Sequence, residues 1–175
     1  MEENTQQLKI IKTEILNKKN PLDASDPLVM IALAQSGAKP GATLPAWFNT
    51  KELRYIKVLL ERVGLPYKAH IFKPPNYPKK VWIVDIAKDE SCLEKFQKNE
   101  ISAGDFYGYP ACCQTAYYKP TMKRRFTCPY SLIFIGLVPC KKHCSEAKRL
   151  AEKYDKVITN ILPEERLVAF KKRFT

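Results

Sequence analysis

The chain has 175 residues, of which 45% are hydrophobic and 27% charged, with a net charge of +12 and a pI near 9.4. This is globular composition with enough length for a real core, and no apolar run approaches the roughly 18 residues of a membrane span. The excess of positive charge favours polyanionic partners, nucleic acid above all, because neutralising phosphates drives such association.

In chain order, the polar and acidic start leads into helical spacing at Leu8, Ile11 and Ile15, which Asn20-Pro21 is expected to stop. Such a start matches neither a secretory nor a transit peptide and implies a cytoplasmic protein. Ser25-Asp26-Pro27 predicts a capped second helix running to Ser36-Gly37, and the stretch from Ala38 to Pro45 reads as a loop. Asn49-Thr50 is expected to cap a third helix with a stripe of Leu53, Ile56, Leu59, Leu60 and Val63, closed by Gly64.

Residues 67–72 alternate as a strand with one exposed face. A proline-rich connection from Lys73 to Pro78 leads to a largely buried strand at 81–86, expected to be antiparallel to the first. Asp89 or Ser91 caps a helix through Phe96, and a turn follows at Asp105-Phe106-Tyr107-Gly108-Tyr109-Pro110-Ala111-Cys112-Cys113. Pro110 suits the first position of a helix, which places both thiols in its first turn and ends at Lys119-Pro120. Thr121 to Thr127 reads as a basic loop, Tyr130 to Val138 as an interior strand, and Pro139 as its break. A long helix is expected to carry Cys144, Ala147, Leu150, Ala151, Tyr154, Val157, Ile158 and Ile161 on one stripe, before a short basic helix at 163–174. The pattern predicts an α+β fold, a small and mainly antiparallel sheet with packed helices and a cysteine-rich C-terminal half. It reads as one domain with a helical segment at 1–48, a helix-strand-strand-helix unit at 49–100 and the cysteine-rich half at 101–175.

Five of the six cysteines, Cys112, Cys113, Cys128, Cys140 and Cys144, lie in that half, and Cys92 stands apart. In a reducing compartment such a cluster points to a metal or catalytic site more than to disulfides. Zinc or an iron-sulfur cluster needs about four convergent sulfurs or imidazoles. Cys113, Cys128, Cys140 and Cys144 supply four, with Cys112 or His143 as substitutes. Adjacent cysteines point differently, so only one of Cys112 and Cys113 is expected at the site. The spacing matches neither paired zinc knuckles nor the ferredoxin run, which leaves the metal open.

Three readings compete with metal binding. Cys112 or Cys113, in the first turn of a helix and near basic residues, is a candidate nucleophile. That chemistry usually wants a histidine, and His70 and His143 are the two available. The cysteines could instead be disulfide-bonded, or plain core residues of a protein-interaction scaffold. Asp105 reads as a turn or capping residue.

Between Thr115 and Leu150 eight basic residues face Glu146 alone, a local charge of +7. Lys119, Lys123, Arg124, Arg125, Lys141 and Lys142 are the candidate nucleic-acid contacts. They interleave with Tyr107, Tyr109, Tyr117, Tyr118 and Phe126, the mixture of charge and stacking surface that favours RNA over DNA.

Gly108-Tyr109-Pro110-Ala111-Cys112-Cys113, together with Val138-Pro139-Cys140-Lys141-Lys142-His143-Cys144 before a helix, resembles an archaeal family known only as a domain of unknown function. The resemblance covers roughly the last 75 residues and implies a cytosolic archaeal protein with a shared cysteine pattern and no established activity. It implies Cys113, Cys128, Cys140 and Cys144 as the site, with Gly108 and Pro110 shaping its turn.

Overall fold

The structure, a computed structural model, describes residues 2–17, 26–44, 48–73, 80–117, 129–141 and 143–174. Its elements in order are α1 (Glu2–Leu16), α2 (Asp26–Gln35), β1 (Gly41–Thr43), α3 (Thr50–Val63), β2 (Tyr67–Phe72), β3 (Val81–Ala87), α4 (Glu90–Gln97), α5 (Ala103–Phe106), α6 (Ala111–Tyr117), α7 (Tyr130–Phe134), α8 (Ser145–Ile161) and α9 (Glu164–Lys172). The fold is α+β, with the cysteines grouped in the C-terminal half.

Helix α2 is the hub. After Asp26 it carries no charge, and everything from Pro27 to Ala34 is buried, as expected of a helix apolar on all sides. It packs against α1, α8 and the sheet. Helix α8 presents Ala147, Ala151, Tyr154, Ile158 and Ile161 to the same core, at the helical spacing read from the sequence.

Helix α3 follows its local instructions. Asn49 caps it by accepting from Lys51 and Glu52 backbone N–H groups, the Glu52 side chain bonds back to the Asn49 N–H, and Gly64 closes it in the left-handed region. The sheet is three-stranded and antiparallel in the order β1-β3-β2, with Thr43 and Lys68 both opposite Asp85. Asp89 caps α4 as expected.

Two expectations fail. The run Tyr130 to Val138 is not a strand: it forms α7, a turn at Gly136 with φ of 74°, and an irregular passage to Cys140. An apolar run of this length is ambiguous between buried strand and buried helix. Here β1 and β2 already occupy both edges of β3, and a left-handed Gly136 breaks any extended path. The third strand lies instead in the stretch read as a loop, where Gly41–Thr43 pairs with Asp85–Ala87. Three residues offer too little alternation to be recognised. The expected stop at Asn20-Pro21, the Ser25 cap, the connection after Lys73, the helix end at Lys119-Pro120, the loop from Thr121 to Thr127 and Cys128 lie outside the described residues.

Candidate metal centre

Two chain segments form the walls of the cysteine site. The first is the turn that ends in α6. Ser102 caps α5 by accepting from the Asp105 N–H, and its hydroxyl donates to the Asp105 carboxylate at 2.7 Å. Gln114 reaches back from α6, its Nε2 donating to Asp105 Oδ1 at 3.0 Å and to the Tyr109 carbonyl at 2.8 Å. These bonds from Ser102 and Gln114 hold the Asp105 carboxyl below its ordinary value and tie it into the turn. Gly108, at φ of 70°, lets the chain reverse against Pro40. The Pro110 carbonyl then accepts from both Cys113 and Gln114, opening α6 with the two thiols in its first turn.

The second wall runs from Ile135 to α8. It is tied to the first by the Tyr109 hydroxyl, which donates to the Ile135 carbonyl at 2.5 Å. Cys140 lies in a bend after Pro139, and Cys144 is the N-cap residue of α8. The helix begins one residue later than expected, so Cys144 is its cap rather than its first stripe residue, although it is buried in the same core as Ala147 and Ala151 and its thiol faces those of α6.

The sulfurs of Cys112, Cys113, Cys140 and Cys144 all lie within 4.8 Å of one another. Cys112 and Cys113 are 3.9 Å apart, Cys112 and Cys144 3.7 Å, and Cys113 and Cys144 3.8 Å. Both members of the adjacent pair join the site, against the expectation that only one could. Side chains in a helix tilt toward its N-terminus, so thiols in the first turn can converge beyond the helix end despite their angular offset. Cys113 and Cys144 are buried, Cys140 is half-buried and Cys112 is exposed. All five described cysteines are free thiols, Cys92 among them on α4.

The environment favours different charge on different sulfurs. Burial pushes the Cys113 thiol well up, with the neighbouring Cys144 adding to it and the Cys140 backbone N–H opposing. Burial likewise raises Cys140, with hydrogen bonds involving Cys144 and Cys112. Burial also acts upward on Cys144, but it is outweighed by the Ala147 backbone N–H at the start of α8 and by the three surrounding thiols. Cys144 falls below the ordinary cysteine value although no full cap hydrogen bond closes. Cys144 is thus the sulfur on which the helix start and the other thiols converge, with Cys112 and Cys113 at 3.7 and 3.8 Å.

His143 lies on the turn beside Cys144 and is exposed, and His70 sits on β2 with Nδ1 3.7 Å from Asp85 Oδ2. The structure gives His70 a carboxylate neighbour rather than a cysteine. Of the candidate nucleic-acid contacts, Lys141 is described and exposed, whereas Lys119, Lys123, Arg124, Arg125 and Lys142 lie outside the described residues. A cavity of about 260 Å³ adjoins the site, lined among others by Tyr107, Tyr109, Cys113, Gln114 and Tyr117. Sequence reasoning passed over Lys39 and Gln114, which hold the turn, and read Tyr109 as stacking surface rather than as the tie between the two walls. Nothing in their spacing marks them, because their partners are contacts made by folding.

Compared with protein-family models, curated proteins and solved structures, the chain matches none. The site's own geometry carries the functional argument.

Proposed function

We propose that this protein binds a single metal ion, zinc by preference, through Cys112, Cys113, Cys140 and Cys144, and that the closed site shapes a basic surface for nucleic acid. The sulfur spacing carries the first part. A tetrahedral zinc with arms of about 2.3 Å places its sulfurs about 3.8 Å apart, against the 3.7, 3.9 and 3.8 Å observed. An iron-sulfur cluster spreads its thiolates over two or more irons, so ligands on different irons stand further apart than the edge of a single-ion tetrahedron. Four sulfurs within 4.8 Å of one another fit one ion. Four thiolates also fill the coordination sphere, which is the pattern of a structural site. In that role the metal supplies a cross-link between α6 and the start of α8.

Nucleic acid follows from charge. The net +12 and the local +7 beside the cysteines favour phosphate contacts, and RNA is preferred for the tyrosines interleaved with that charge. Along α8, Arg149, Lys153 and Lys156 line a groove of about 500 Å³ that also holds Glu146 and Glu152. Arg149 engages Glu146 at 2.7 Å, and Lys148 approaches Glu152 at 4.0 Å; among the described residues Lys153 and Lys156 form no ion pair, and Lys153 Nζ donates to the Gly37 carbonyl at 2.9 Å.

Metal content and the absorption spectrum of anaerobically purified protein test the first part. One zinc per chain and no visible absorption are expected, while an iron-sulfur chromophore or a metal-free protein would overturn it. Binding to single-stranded RNA should weaken steeply between 50 and 200 mM salt; affinity that ignores salt would remove the nucleic-acid reading.

A further inference from the structure

Lys39 is a lysine buried inside the fold. It is 1% exposed, and among the described residues no carboxylate pairs with it. Its Nζ donates to the Tyr107 carbonyl at 2.7 Å and stands 5.0 Å and 5.1 Å from the ring centroids of Tyr107 and Tyr109. Burial lowers its pKa to about 7. An amine with a single carbonyl and two aromatic faces in place of water is poorly compensated for desolvation. What it holds lies on the way to the metal centre.

Tyr107 is gripped at both ends. Lys39 holds its carbonyl and faces its ring, while its hydroxyl lies 2.9 Å from Thr43 Oγ1. Thr43 in turn donates to Asp85 Oδ1 at 2.6 Å on the central strand, so the Tyr107 hydroxyl is the donor to Thr43. The neighbouring residues interlock with the same turn. A side chain on Gly108 would meet Pro40 at 2.6 Å, and one on Gly41 would meet the Phe106 ring at 2.3 Å. Residues 39–41 therefore mate with residues 106–108 along their whole length. Tyr109, whose ring Lys39 also faces, gives its carbonyl to Gln114 of α6 and its hydroxyl to Ile135 of the opposite wall. Both walls of the cysteine site thus hang on two tyrosines that share one buried lysine.

We propose that Lys39 is a positioning residue for the metal centre, fixing the Tyr107–Tyr109 turn so that Cys112 and Cys113 already face Cys140 and Cys144 before the ion arrives. This rests on the metal-binding reading above. A site assembled in advance does not spend binding energy on ordering its ligands, so loosening the turn lowers affinity while leaving the ligand set intact.

The test compares zinc affinity, by competition with a chromophoric chelator, in the wild type, Lys39→Met and Thr43→Val. Melting of each metal-free protein and the thiolate-to-metal absorption of each cobalt-loaded protein are measured alongside. Lys39→Met is expected to bind one zinc at least tenfold more weakly, with an altered cobalt band. Its metal-free melting should be unchanged or higher, because an unpaired buried charge has been removed. Thr43→Val, which frees the other end of Tyr107, should weaken zinc binding in the same direction and keeps the test alive if Lys39→Met fails to fold. Wild-type affinity in both variants would overturn the proposal and leave the metal reading standing. Affinity lost only in step with metal-free stability would assign Lys39 to packing and overturn it as well. A wild type that takes up no zinc would instead overturn the metal reading, and the proposal with it.

Discussion

Helix α3 and the segment 129–144 are made from opposite resources. In α3 the apolar stripe, the Asn49 box and the Gly64 stop are all contained within sixteen consecutive residues, and its five stripe residues are each at most 6% exposed. Among its described residues, segment 129–144 has a five-residue helix, a left-handed glycine and a bend at Cys140-Lys141. Its course is settled by partners far along the chain: Tyr109 on the Ile135 carbonyl, and Cys112 and Cys113 facing Cys144. The first region is stable because its own sequence agrees with itself at every level. The second depends on cross-links, and under the proposed function the strongest of them is a metal ion.

The largest effect should come from the cross-link. Cys144→Ser is expected to abolish zinc binding and to lower the stability of metal-loaded protein by several kcal/mol, since metal binding is coupled to folding at such sites. Chemical denaturation with metal analysis checks this. Excess chelator should bring the wild type to the same stability, with hydrogen exchange rising in α6 and 129–141 while α3 and β3 stay protected. Uniform loss of protection would break the contrast between the two regions.

Ile56→Ala, at a fully buried position of α3, should cost about 2 to 5 kcal/mol. The cost should be the same with and without chelator, and denaturation under both conditions reads it. A cost that appeared only in metal-loaded protein would show the halves to be more tightly coupled than their contacts indicate.

A pH effect sharpens the comparison where the halves meet. Lys39 titrates at about 7 in the folded protein and near 10.5 when unfolded. Between these values the unfolded state binds the extra proton, so this residue makes stability rise with pH across that window, and its penalty is fully present below about pH 7. Metal-free Lys39→Met should lack that rise, its advantage over the wild type being largest near pH 6 and fading toward pH 10, by a few kcal/mol at most. Denaturation of both proteins at several pH values measures the difference, which cancels the cysteines and tyrosines that titrate in both. The smallest effect is Asn49→Ala, which should cost about 1 kcal/mol through the lost cap, with metal affinity unchanged.

Legibility in the sequence followed the same division. Helix α3 was readable to the residue because caps and a 3.6-residue period are short-range. Strand β2 was readable from its alternation, and β3 from a short apolar run set off by the proline-rich connection before it. Strand β1 was not, since three residues that begin with a glycine directly after Pro40 carry no period, and only β3 makes them a strand. Tyr130 to Val138 misled because an apolar run reports burial without reporting shape. At the site, the presence of clustered thiols in the C-terminal half was plain from Cys112, Cys113, Cys140 and Cys144, and Cys128, in the same expected set, lies outside the described residues.

By itself, then, the amino-acid sequence determined the helices with strong periods, the antiparallel pair at 67–87, the positive charge and the richness in cysteine. Tertiary structure alone decided that Cys144 is the N-cap of α8, that both adjacent cysteines face one point, and that Lys39, in a stretch read only as a loop, lies under two tyrosines. The reason is one of range. Period, caps and charge are properties of neighbours in the chain, whereas four sulfurs within 4.8 Å are a property of segments some thirty residues apart, brought together only by the packing of the whole core.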